Sequence, residues 1–170
     1  MDEVQWLIAS QIPRLRRYAL SLTGDPAAAD DLVQDCLERA IRKRHLWKRY
    51  GSIRSWLYRI LYNVFLNQTV LRNRAQRLIT LDEVAATMGE PARQESHLIC
   101  KDIASAVMKL PAEQRAAVAL IGLEGFSYDE AARVLDVPIG TLRSRLFRGR
   151  ERLRDLYVGE PEGVRLQRVK

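Results

Sequence analysis

Apolar residues recur every three or four positions along almost the whole chain. That spacing is typical of amphipathic α-helices. Alternation of apolar and polar residues, which marks a half-buried strand, nowhere extends convincingly over five or more residues. The pattern therefore predicts an all-α protein.

The first part of the chain predicts three helices. The first covers 3–22, and the second covers 26–44 with a proline at its first position behind a capping aspartate. A third helical stretch covers 53–74, with an interruption expected near Asn63. The residues available for the buried side of the first helix are Trp6, Ile8, Ile12, Leu15, Ala19 and Leu22.

The periodicity weakens over 76–97, where Thr80, Gly89 and Pro91 stand among mixed polar residues. We interpret this segment as a flexible linker between two small helical domains. The predicted domains are 1–75 and 98–160, followed by a frayed tail over 161–170. The second domain predicts four helices, over 98–109, 111–123, 127–135 and 141–156.

Local signals mark the helix ends of the second domain. Pro111 is expected at the first position of its helix, and Gly125 ends that helix. Ser127 and Glu130 have the spacing of a capping box, in which each side chain bonds the backbone N–H of the other residue.

The helices over 127–135 and from Thr141, with the short turn 136–139 between them, have the proportions of a helix-turn-helix. Projection at about 100° per residue places Leu142, Leu146, Leu153 and Leu156 on the core side of the second of these helices. Phe147 stands among arginines on the opposite side, where a thymine methyl could cover it in a major groove. The residues assigned to DNA are Thr141, Arg143, Ser144, Arg145, Phe147, Arg148 and Arg152.

Within this set, we expect Arg143, Ser144, Phe147 and Arg148 to contact bases, because they share the solvent face. We expect Arg145, Arg150 and Arg152 mainly to contact phosphates. Because Arg145 and Arg152 lie on the flank of this face, either could instead lean toward the protein. The alternative is an ordinary basic amphipathic helix in which Phe147 packs against a neighbouring domain.

The net charge of +7 is unevenly distributed, with +6 over 1–75, -2 over 76–97 and +3 over 98–170. The segment 39–74 contains ten basic residues and no acidic one. Such an unmixed run favours a polyanion or an acidic partner, although a solvated basic face remains the alternative.

Several classes of protein are excluded. No apolar run is long enough to span a membrane, and the amino-terminal residues lack the pattern of a secretory signal, so we expect a cytoplasmic protein. Cys36 and Cys100 are too far apart for a zinc finger with paired cysteines, and His97 beside Cys100 lacks a second pair of ligands. With only two histidines and no glycine-rich phosphate loop, we expect no enzyme activity, no metal and no cofactor.

Four blocks of the sequence, taken in order, resemble a bacterial RNA polymerase sigma factor of the sigma-70 family, of the extracytoplasmic-function (ECF) type. The blocks lie at Asp30–Ala40, Ser55–Ile60, Leu110–Arg115 and Phe126–Arg148. The resemblance implies that the first domain binds core RNA polymerase and opens the -10 element of promoter DNA. It implies that the second domain reads the -35 element as duplex, and that an anti-sigma protein restrains the chain.

The resemblance also implies residue roles. The surface that binds core polymerase corresponds to Asp31, Gln34, Asp35 and Glu38. The residues implied in binding and melting the -10 element are Trp56, Tyr58, Arg59, Tyr62, Asn63 and Asn67, with Asn63 in a loop that captures a flipped base. Unstacked bases need aromatic faces, polar groups and cations, which this set supplies. Trp56 is equally compatible with a core anchor, and the acidic row with ordinary helix solvation.

Two other functions compete with this interpretation. A stand-alone helix-turn-helix regulator would need only 98–157 and would leave the first 75 residues unexplained. A sigma mimic that titrates an anti-sigma protein would have no need of Arg143, Phe147 and Arg148.

Overall fold

The computed structural model describes residues 3–47, 52–79 and 103–158, with side chains up to 74 and 156 in the last two ranges. Within these ranges every regular element is helical, which confirms the all-α prediction. No helix in the described ranges is long and apolar enough to cross a membrane.

The first domain is a three-helix unit. Helix α1 covers Glu3–Thr23, α2 covers Pro26–Arg42, and α3 covers Ile53–Ile79, with a short 3₁₀ turn at Arg44–Leu46. All three helices contact one another. The largest fully buried side chains of this domain are Leu15, Tyr18, Leu22, Leu32, Cys36, Leu57, Tyr58, Leu61 and Val64.

The start of α2 confirms the predicted cap. Asp25 is the N-cap residue, and its carboxylate accepts a 2.8 Å hydrogen bond from the backbone N–H of Ala28. Pro26 follows at the first helical position, where a missing N–H leaves no bond unmade.

Helix α3 is continuous, so the predicted interruption near Asn63 is wrong. Val64 and Phe65, which follow Asn63, are both buried in the core. Burying such side chains stabilises by about 1.5–3 kcal/mol each, which exceeds the helix-propensity cost of one asparagine, about 0.7 kcal/mol or less. Helix α3 also extends five residues beyond the predicted end at 74, so the first residues of the predicted linker 76–97 are helical. The linker residues after 79 lie outside the described residues.

The prediction that Trp6 faces the core is also wrong, since Trp6 is 61% exposed. The buried face of α1 is centred on Ile8, Leu15, Ala19 and Leu22. Because a helix turns about 100° per residue, Trp6 lies on nearly the opposite side from Ile8. Tyr18, which the sequence analysis did not select, is fully buried instead.

The second domain begins with helical residues 103–108. Helix α4 then covers Ala112–Val118 and continues as a π-helical turn over Ala119–Leu123. Helix α5 covers Tyr128–Leu135, and α6 covers Ile139–Val158.

The ends of these helices match the local signals, with two corrections. The capping box is present, because Glu130 N–H donates to Ser127 Oγ at 3.3 Å and Ser127 N–H donates to the Glu130 carboxylate at 3.1 Å. Pro111 is the N-cap residue rather than the first helical residue, since its ψ of 142° is extended. Helix α6 begins at Ile139 rather than Thr141, because the Pro138 carbonyl already accepts from the backbone of Leu142 at 3.1 Å.

The core face of α6 is shorter than predicted. Leu142 and Leu146 are buried, but Leu153 is only partly buried and Leu156 is 39% exposed. Helix α6 has 20 residues, whereas its neighbour α4 has seven, so the last turns of α6 extend beyond the helix that covers the first ones.

Gly149 lies where α6 crosses α4 and provides a test of this packing. A Cβ at position 149 would lie 2.8 Å from Val118 Cγ2, whereas a Cβ at Gly140 in the same helix would meet nothing within 4 Å. We expect Gly149→Ala to lower the free energy of unfolding by about 1–3 kcal/mol through overpacking, measured by urea denaturation. The matched Gly140→Ala should be neutral or stabilising, because alanine is the better helix former. A Gly149→Ala variant as stable as the Gly140→Ala variant would contradict this packing.

Candidate nucleic-acid and polymerase interfaces

Helices α5 and α6 form a tight helix-turn-helix. Asp136 ends α5 in the left-handed conformation, at φ 55° and ψ 50°, which aspartate tolerates better than most residues. The backbone N–H of Val137 donates to the Ala132 carbonyl at 3.0 Å and closes the turn. Ala131 and Ala132 are buried, so small side chains let α6 cross α5 closely.

Helix α6 presents the predicted polar face to solvent. Arg143, Ser144, Arg148, Arg150 and Arg152 are exposed, and Thr141 is half-buried. Phe147 is 66% exposed between these arginines, so no neighbouring domain among the described residues covers it. An apolar ring framed by guanidinium groups is suited to a major groove, where thymine methyls and guanine acceptors lie side by side.

Arg145 differs from the other arginines of α6. Its guanidinium lies 3.1 Å from the Glu113 carboxylate on α4, and its side chain is only 20% exposed. Of the two flanking arginines, Arg145 thus leans toward the protein and ties α6 to α4, while Arg152 remains exposed.

The acidic row on α2 is mostly exposed. Asp31, Gln34 and Glu38 face solvent, with Glu38 within 3.9 Å of Arg42 one turn further along. Asp35 is half-buried, and its carboxylate accepts a 2.8 Å hydrogen bond from the Gln68 side chain on α3. Asp31, Gln34 and Glu38 are therefore the members of the row available to a partner, while Asp35 also joins α2 to α3.

The residues implied for the -10 element all lie on α3, but they divide into two groups. Arg59, Asn63 and Asn67 are spaced four residues apart and form an exposed polar stripe. Asn63 is therefore part of a helix and not of a loop, which corrects the expectation. Tyr58 and Tyr62 are buried, and Trp56 is partly buried against the core.

Tyr58 is covered by the second domain. Its ring centroid lies 4.9 Å from that of Phe126 and 5.1 Å from that of Tyr18, and its hydroxyl donates to the Glu124 carboxylate at 2.7 Å. Burial, followed by the bond to Glu124, raises the pKa of Tyr58 well above its ordinary value. Burial likewise raises the pKa of Tyr62. Both tyrosines therefore remain neutral hydroxyls.

Glu124 is the residue that the sequence analysis missed. Its side chain has no exposed surface, and it follows directly after the π-helical turn of the second domain. Arg17 of α1 donates to both carboxylate oxygens, at 2.8 and 3.0 Å, and Arg54 of α3 contacts the carboxylate and donates to the Glu124 backbone carbonyl. The hydrogen bond and charge of Glu124 raise the pKa of Arg17 above its ordinary value.

We call Glu124, Phe126, Arg17, Arg54 and Tyr58 the interdomain clasp. Arg54 lies 4.1 Å above the Phe126 ring and completes it. The only sequence signal was an acidic residue at the end of an apolar run, and its partners lie 107, 70 and 66 positions away.

No three histidine, cysteine or carboxylate side chains come together as a metal site requires within the described ranges. His97 and Cys100, the pair considered from sequence, lie outside those ranges.

Comparison with known families identifies both halves of the chain. Residues 8–62 match the family described as the Sigma2 domain of PhyR. Residues 100–153 match the family described as Sigma-70, region 4, and they include the helix-turn-helix.

Full-length relatives connect the two halves. The chain is 36% identical over 163 residues to the ECF RNA polymerase sigma factor EcfG of Rhodopseudomonas palustris, covering 95% of this chain and 89% of that protein. It is 34% identical to the ECF sigma factor SigM of Mycobacterium tuberculosis, covering 93% of this chain and 77% of the relative. The chain belongs to the ECF RNA polymerase sigma factor family.

Solved structures agree with this membership. The sigma factor RpoE of Bartonella quintana, determined in complex with the anti-sigma factor NepR, superposes with a TM-score of 0.81 at 34% identity, over 93% of this chain and 98% of that one. The response regulator PhyR of Brucella abortus shares the fold at 21% identity and a TM-score of 0.56, over 88% of this chain and 44% of PhyR.

The exposure of Phe147 leads to a prediction that separates binding from folding. We expect Phe147→Ala to change the free energy of unfolding by no more than about 0.5 kcal/mol, as exposed substitutions do, while weakening binding to duplex promoter DNA. The neighbouring Leu146→Ala, at a buried position, should instead destabilise by about 2–5 kcal/mol. Thermal unfolding and a duplex-binding titration measure the two effects. Unchanged duplex affinity of Phe147→Ala would remove this residue from the interface.

Proposed function

We propose that this chain is a sigma factor that binds core RNA polymerase, directs it to specific promoters and helps to open the -10 element. The observation that carries the proposal is that one chain joins a sigma2-type domain to a region 4 helix-turn-helix whose recognition helix leaves Phe147 uncovered. Residues 1–75 bind polymerase and the -10 element, 98–160 bind the -35 element, and 76–97 connect them.

Binding to core polymerase uses the exposed acidic row Asp31, Gln34 and Glu38. An acidic helix face docks on a basic partner surface, and complementary charge accelerates and orients such docking more than it adds affinity. The family implies an arginine-rich partner surface on the polymerase, which fits the sign of this row.

The second domain binds duplex promoter DNA, and the first domain binds promoter DNA that has become single-stranded. Helix α6 reads the duplex -35 element, with Arg143, Ser144, Phe147 and Arg148 toward the bases and Arg152 toward phosphates. The stripe Arg59, Asn63 and Asn67 binds the single-stranded -10 element. The aromatic residues Trp56, Tyr58 and Tyr62 lie on the same helix but are buried or partly buried in this arrangement. Arg145 contributes by holding α6 against α4.

An anti-sigma protein is the expected restraint on this activity. The Bartonella quintana relative was solved with the anti-sigma factor NepR, and a partner of that class is proposed here. The site of action is the cytoplasm, where polymerase and promoter DNA are found.

In vitro transcription tests the proposal against its two rivals. Purified chain is combined with bacterial core polymerase and a library of genomic fragments from the same host. We expect transcripts that begin downstream of one shared pair of promoter elements and that are absent with core polymerase alone. A stand-alone regulator would bind fragments without core polymerase and start no transcripts, and a mimic would bind an anti-sigma protein and no promoter.

Charge reversal tests the polymerase-binding surface. The double variant Asp31→Lys, Glu38→Lys should weaken binding to core polymerase at least about tenfold, since like charges across an interface cost several kcal/mol. Asp30→Lys is the matched control, because Asp30 is also exposed on α2 but faces Arg16 of α1. Fluorescence titration of labelled chain with core polymerase measures both. Equal affinities for the double variant and the control would assign polymerase binding to another surface.

The polar stripe on α3 leads to a prediction about promoter opening. Asn63→Ala should reduce the yield of open complex, detected by permanganate reactivity of thymines in the -10 element, while holoenzyme still binds duplex promoter. The physical reason is that an exposed amide can hydrogen-bond an unstacked base, whereas alanine cannot. Asn73→Ala, an exposed amide further along α3, serves as control. If both variants give wild-type permanganate reactivity, Asn63 does not hold a base.

A further inference from the structure

The second domain covers part of the surface that the first domain needs for the -10 element. Helix α3 packs against α5, and Phe126 lies on the ring of Tyr58. The Arg59 guanidinium lies 3.3 Å from the Asp136 carboxylate in the turn of the helix-turn-helix. In this closed arrangement Tyr58 is inaccessible to a base and Arg59 is paired with a carboxylate instead of a phosphate.

The interdomain clasp is built around one carboxylate. Glu124 is the sole acidic residue among the described residues whose side chain is fully buried, and all its ionic partners belong to the other domain. The π-helical turn before it and Gly125 after it, at φ +66°, place Glu124 and Phe126 at the domain boundary. π-helical turns are rare, and they occur mostly as single turns within α-helices, frequently at functional sites.

The domains can separate without leaving a charged group of the clasp buried and unpaired. A buried carboxylate is tolerated only while it is paired and hydrogen-bonded. Arg17 is more than half exposed even in the closed arrangement, and separation of the domains would return Glu124, Arg17 and Arg54 to water together. Removing the charge of Glu124 alone instead leaves two guanidinium groups facing a neutral side chain and disfavours the closed arrangement selectively.

We propose that the interdomain clasp is an intramolecular latch, which keeps the -10 surface of α3 covered in the free chain until the domains separate on core polymerase. This rests on the proposed function, because it assigns a regulatory role to the same surface. The free chain would then bind single-stranded DNA weakly, since its apparent affinity is the intrinsic affinity multiplied by the fraction of open molecules.

Two clasp variants of the full-length chain test the latch. Glu124→Gln keeps the size of the side chain and removes the charge, and Arg17→Gln removes its bidentate partner from the other domain. Asp30→Asn is the matched control, because it breaks the Arg16–Asp30 ion pair within the first domain. Helical content by circular dichroism is recorded for all four proteins.

Two readouts are taken on the free chain and one on the holoenzyme. Small-angle X-ray scattering gives the radius of gyration. Fluorescence anisotropy gives the affinity for a single-stranded oligonucleotide carrying the -10 sequence found by transcription, with a scrambled oligonucleotide for comparison. We expect both clasp variants to expand and to bind the -10 oligonucleotide at least about tenfold more tightly, while Asp30→Asn behaves as wild type. Holoenzyme transcription by Glu124→Gln should equal that of wild type, because the latch is already open there.

The contrary results are distinct. If the clasp variants have the wild-type radius of gyration, the clasp does not hold the domains together. If they expand but bind the -10 oligonucleotide no more tightly, the clasp does not cover a surface that binds single-stranded DNA. If both variants lose helical content, the clasp is needed for folding of the chain and is not a contact that opens between folded domains, which also overturns the latch. Failure of the proposed function is read separately, as absence of transcription by wild-type chain with core polymerase.

Discussion

The contact between the two domains is centred on the hydrogen bonds and ion pairs of the buried Glu124 carboxylate. It is bound by an arginine of α1 and by an arginine and a tyrosine of α3, so a single side chain of the second domain contacts two helices of the first. Burial of an ionised group is unfavourable unless each oxygen is satisfied. In this arrangement Glu124 meets that requirement entirely through side chains of the other domain, so the clasp joins α1 and α3 to the second domain.

Helix α3 has one buried side and one exposed polar side. Arg59, Asn63 and Asn67 recur every four residues and stay at the surface, while the buried residues of the same part of the helix are Leu57, Tyr58, Leu61, Tyr62, Val64 and Phe65. A period of 3.6 residues makes such a division possible without a break in the helix. The absence of an interruption at Asn63 is thus what aligns the stripe, because a loop there would turn Asn67 away from Arg59.

Local features of the fold could be predicted from sequence, and nonlocal ones could not. The cap at Asp25 and the capping box of Ser127 and Glu130 are confirmed because their partners lie within three residues. The burial of Tyr18, the exposure of Trp6 and the partners of Glu124 depend on how whole helices pack. Of the candidate site, the face of α6 could be placed by projection alone, whereas the burial of Tyr58 requires a residue 68 positions later, Phe126.

The two surfaces proposed to contact DNA differ in the apolar area they would expose. Phe147 is a single ring surrounded by arginines, and isolated apolar side chains at a protein surface are ordinary. The ring of Tyr58 packs against Tyr18 of its own domain and against Phe126 of the second domain, so separating the domains would uncover the apolar faces through which Tyr58 and Phe126 now contact each other. The proposed duplex-reading face of α6 thus leaves only one isolated ring uncovered, whereas the proposed -10 surface of α3 includes a tyrosine whose ring is covered by Phe126 of the second domain.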